Sequence, residues 1–107
     1  MPSLQYINSK LSDTIYILTT HPGDARKRLA ASLPKLKKLN PNTFPERLRK
    51  EYKWVRETIE RGRSKVKLGF PDHNLPHIHN STASKVIMKI IDIQDKIQIL
   101  FDEEVDV

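Results

Sequence analysis

Cysteine is absent from the 107 residues. That excludes a disulfide framework and any thiolate-held metal, so side-chain packing must supply the stability. Glycine is scarce, with only Gly23, Gly62 and Gly69. None of the three sits in a phosphate-cradling loop, and no G-x-S-x-G nucleophile turn occurs. Long apolar runs are missing too. The densest stretch, residues 86–101, is broken by Lys89, Asp92, Asp95 and Lys96, which is incompatible with a membrane span. The opening MPSLQYINSKLSDT lacks the apolar core of a signal peptide. These absences lead to the expectation of a cytoplasmic, non-enzymatic protein with no cofactor.

What is present is ordinary globular material. A hydrophobic fraction of 37% beside a charged fraction of 30% is too apolar for obligate disorder. The length suits a single helical domain over residues 1–107. Charge is unevenly placed within the net +6. Residues 1–79 carry net +9 and residues 80–107 net −3, with 15 basic against 4 acidic residues between positions 26 and 67. A basic middle and an acidic end suit nucleic acid, or each other across two chains.

Apolar residues recur at helical spacing in four segments, which predicts helices over about residues 3–20, 22–39, 44–61 and 81–101. Leu4, Ile7, Leu11, Ile15 and Leu18 define the first, with Ser3 as a cap; the β-prone run TIYILTT makes a short strand its rival. Pro22 and Asp24 suit the first turn of the second, and Pro34 predicts a kink or break near Ser32–Leu33. Thr43 and Glu46 match a capping box for the third, which Gly62 is expected to stop. Asn80, Ser81 and Thr82 offer caps for the fourth. The loop over 62–80 has no helical period, with a brief strand as an option at Lys65–Leu68. The expected fold is all-α, an antiparallel four-helix bundle with a long loop before the last helix.

Three elements stand out together: His21-Pro22-Gly23-Asp24-Ala25-Arg26, then Phe44-Pro45-Glu46-Arg47-Leu48-Arg49 with Trp54, then Asn80-Ser81-Thr82-Ala83-Ser84-Lys85. This set resembles a loose group of small, uncharacterised bacterial helical proteins with FPxxLR…W and NxTAxK elements. The resemblance covers about residues 15–95 and implies a bacterial protein of four helices; it implies no catalytic residue.

Three candidate sites follow from residue chemistry. Asp72, His73, His77 and His79 crowd the loop, and imidazoles with a carboxylate suit zinc, although their spacing is irregular for a zinc motif. Arg63, Lys65 and Lys67 form the least compensated part of the basic region and are the nucleic-acid candidates. By contrast, Glu46–Lys50, Arg47–Glu51, Lys53–Glu57, Arg56–Glu60 and Glu57–Arg61 have the four-residue spacing of pairs on a solvated helix. Trp54, Met88 and Ile99 lie off the apolar stripes of their helices, as do Tyr6 and Ile17, and mark an interface. Cover by the 62–80 loop is the alternative for Trp54. The leading expectation is a helical protein-interaction module that self-associates as a homodimer or joins a partner protein. A nucleic-acid accessory protein using residues 26–67 comes second, and a metal-dependent hydrolase using His73, His77 and His79 third.

Overall fold

Ser3 opens the first helix, its hydroxyl accepting the Tyr6 amide at 3.2 Å. Helix α1 then runs Leu4–Thr20 and buries Ile7, Leu11, Thr14 and Leu18 along one side. Thr14 tolerates burial because its hydroxyl donates to the Lys10 carbonyl at 2.8 Å. The β-prone run is helical: Leu18 completes the buried stripe, and Thr19 and Thr20 donate to the Tyr16 carbonyl. Packing of that stripe outweighs a local preference worth at most about 1 kcal/mol per residue.

The computed structural model describes residues 3–64 and 78–105, and every regular element among them is helical. Helix α2 spans Ala25–Leu36 and starts later than Pro22. Gly23 takes a left-handed φ of 111°, which breaks helical continuity, and Asp24 is extended with its carboxylate accepting the Lys27 amide at 3.0 Å. No break occurs at Ser32–Leu33. Pro34 removes one internal bond, but Leu29, Leu33 and Leu36 are buried on both sides of it, and the helix carries on to Leu36.

A 3-10 turn at Pro41–Thr43 follows. Here the capping-box expectation fails, because the Thr43 hydroxyl donates back to the Asn40 carbonyl at 2.6 Å. The carbonyl of Pro45 starts α3 instead, accepting from the Leu48 and Arg49 amides. Helix α3 covers Glu46–Ser64 and passes through Gly62 rather than stopping there. One glycine costs only about 1 kcal/mol in a helix that is otherwise well packed. Helix α4 covers Asn80–Val105. It begins on the His79 carbonyl, which accepts the Ala83 amide, while the Asn80 side chain reaches across to the Arg26 amide and to Asp24.

Helix α4 packs against α1, α2 and α3, and α3 packs on α4 and the 3-10 turn. Its core side is Ala83, Val86, Ile90, Ile93 and Ile97, all fully buried. The start of α1 lies beside the second half of α4, where Asn8 donates to Gln98 and accepts from Gln94, each at 2.9 Å. The starts of α2 and α4 meet through Asn80. Among the described residues, no helix is long and apolar enough to cross a membrane.

Candidate interaction surface

The core takes one side of α4 and leaves a long outer side to solvent. Steps of three and four residues place Met88, Ile91, Asp95, Ile99 and Asp102 along it. Met88 is 69% exposed, Ile99 58% and Ile91 38%. On α3, Trp54 is 38% exposed, one turn on from Glu51, which faces α4. Sequence spacing placed Trp54, Met88 and Ile99 off the core, and the structure brings Met88 and Ile99 onto one stripe. The loop proposed as a cover for Trp54 lies almost wholly outside the described residues. Tyr6 is exposed, with the Lys10 ammonium 5.6 Å from its ring centre, whereas Ile17 is half-buried.

Beside that stripe, α3 and α4 leave a shallow groove of about 310 Å³ between Leu48, Glu51, Ile99 and Leu100. Glu51 lines it. Its carboxylate meets Lys96 Nζ at 2.9 Å and Lys89 Nζ at 3.2 Å, so the four-residue spacing to Arg47 is not the contact it uses. Hydrogen bonding to Lys96, then to Lys89, holds the Glu51 carboxyl below its ordinary pKa despite partial burial. Lys96 also bridges to Asp92 at 3.1 Å, and these two carboxylates raise its pKa. Two cations of one helix thus clasp an anion of the other.

Three arginines of the basic region are used internally. Arg56 donates to the carbonyls of Leu39 at 2.9 Å and Leu36 at 3.3 Å, at and just beyond the buried end of α2. Arg49 donates to the Phe44 carbonyl and Arg28 to the Gly23 carbonyl, each at 2.9 Å. Tyr52, fully buried and stacked on Phe44 at 4.2 Å, donates its hydroxyl to the Leu36 carbonyl at 2.8 Å; burial pushes its pKa up. Asp24 is fully exposed, and its carboxyl is held below the ordinary range by the Lys27 amide first and Asn80 next.

His79 is exposed at the entry to α4, and among the described residues no three His, Asp or Glu side chains gather as a metal site. His73, His77, Lys65, Lys67 and the brief strand considered at Lys65–Leu68 lie outside the described residues, as does the side chain of Arg63 in the last turn of α3. Ile91 escaped sequence reasoning, although its three-residue step from Met88 was available. The clasp on Glu51 and the Asn8–Gln94–Gln98 ladder had no signal in one sequence, since each joins residues far apart in the chain. No protein-family model, curated protein or solved structure matches this chain.

Proposed function

We propose that this chain is a non-enzymatic interaction module that self-associates through the outer face of α4. Its scaffold, on this reading, is an antiparallel four-helix bundle with α4 as the central member. The single observation that carries the reading is the exposure of Met88 and Ile99 on one stripe of a helix whose opposite side is fully buried. Burying such side chains is worth about 1.5–3 kcal/mol each, which favours a partner surface over water. Trp54, part-exposed on α3, is a large aromatic of the kind enriched at interfaces. The engagement of Arg28, Arg49 and Arg56 with backbone carbonyls leaves fewer unoccupied guanidinium donors for phosphate, and so favours a protein partner over nucleic acid.

Light scattering across a concentration series, coupled to size-exclusion, tests the reading. A monomer–dimer equilibrium is expected, and Met88→Lys with Ile99→Lys should shift it to monomer without altering helix content by circular dichroism. A chain that stays monomeric at every concentration removes the proposal. Tight, selective binding of DNA or RNA by that monomer, lost on replacing Arg63, Lys65 and Lys67, would put the nucleic-acid reading first.

A further inference from the structure

We infer that the partner of α4 is α4 of a second copy, running in the opposite direction about a two-fold axis level with Gln94. This rests on the reading of the outer face of α4 as the self-association surface and adds its register and polarity. The argument is one of charge order. One edge of the exposed stripe carries Lys85, Asp92, Lys96 and Glu103, separated by seven, four and seven residues. These spacings keep the four on one line along the helix, beside Met88 and Ile99. Lys85, Lys96 and Glu103 are exposed, and Asp92 is half-exposed.

A two-fold perpendicular to α4 lays this edge against its own copy in reverse order. Lys85 then meets Glu103 of the second copy, and Asp92 meets its Lys96, both at the same register. Met88 falls within one residue of Ile99 on the second copy, so the apolar stripe closes at the same setting. A parallel pairing loses this match: its two-fold runs along the helices and carries the charged edge to the far side of the contact, so the four charges do not meet their complements. A closed two-fold contact requires a surface complementary to itself, and the order basic, acidic, basic, acidic at symmetric spacing has that property. Lys96 keeps its bonds to Glu51 and Asp92 and has a third donor for the second copy. Asp95, one residue from the axis, meets its own copy and weakens the pair.

Light scattering or sedimentation of the full chain reads the charges, and cysteine cross-linking reads the polarity in a chain with no native thiol. Lys85→Glu should lower the association constant about tenfold, from two lost and two repulsive rim contacts. Adding Glu103→Lys in the same chain should restore it, and Asp95→Asn should tighten it. Met88→Cys mixed with Ile99→Cys should form the mixed disulfide readily. Met88→Cys alone should cross-link poorly, because the two sulfurs stand about 18 Å apart along the axis. Self-association that Met88→Lys abolishes but Lys85→Glu leaves untouched overturns this pairing while sparing the proposed function. So does ready cross-linking of Met88→Cys to itself. A chain that is monomeric throughout overturns both. Unchanged thermal melts of the surface variants separate these results from misfolding.

Discussion

Replacing Arg56 with Met should cost about 2 kcal/mol of folding stability, although the residue lies outside the hydrophobic core. Its guanidinium donates to the Leu39 carbonyl at 2.9 Å and, less closely, to the Leu36 carbonyl at 3.3 Å. Both leucines are fully buried. A hydrogen bond from a charged donor contributes about 1.5–3 kcal/mol, and the half-buried position of Arg56 lets water recover some of it. Tyr52→Phe should cost only about 1 kcal/mol. The Leu36 carbonyl keeps the Leu39 amide at 3.0 Å, and ring stacking on Phe44 is preserved. Because Tyr52 and Arg56 share the Leu36 carbonyl, the double variant should depart from additivity. Urea titration followed by circular dichroism gives the comparison. With a slope of about 1–2 kcal/mol/M, Arg56→Met should lower the midpoint by roughly 1–2 M without changing the slope. A midpoint within error of the parent would show that water satisfies these carbonyls, and would return the Arg56 charge to the surface available for phosphate.

Acidification should weaken the α3–α4 clasp. The Glu51 pKa is depressed in the folded state, so its contribution is present above the ordinary value of 4.5 and is lost as pH falls through the lower folded value. Glu51→Gln should therefore lose about 1 kcal/mol near neutrality and show a flatter acid limb in urea midpoints, and an unchanged limb would contradict the assignment. Gly23→Ala should lower stability by about 1–2 kcal/mol, since φ is 111° there and the new Cβ would stand 2.9 Å from Lys27 Cδ; an unaltered melting temperature argues against that turn. Ile93→Ala should cost about 2–5 kcal/mol because the side chain is fully buried, whereas Met88→Ala in the monomer should stay within about 0.5 kcal/mol. Equal losses at the two positions would mean that the sides of α4 have been assigned wrongly.

Periodicity in the sequence determined the four helices found among the described residues and which side of each is buried. Leu4, Ile7, Leu11, Ile15 and Leu18 specify α1 even through a β-prone run, because a sustained apolar stripe rewards one face of a helix whatever its neighbours are. The same logic placed Met88 and Ile99 outside the core. Helix ends were less legible, since Thr43, Asn80 and Gly62 each carry local signals that other contacts overrode. Thr43 turned back to Asn40, Asn80 reached to α2, and Gly62 was carried along in a longer helix. Contacts between distant parts of the chain were decided by tertiary structure alone. Glu51 had a nearby basic residue at helical spacing, yet it sits where two lysines of α4 converge, and two charge-assisted bonds are stronger than one solvated pair. Arg56 likewise reads as a surface charge until the segment after α2 is set beside it, where the carbonyl of the buried Leu39 takes its guanidinium as donor. Local spacing specifies a face, but only packing decides which groups from elsewhere in the chain meet it.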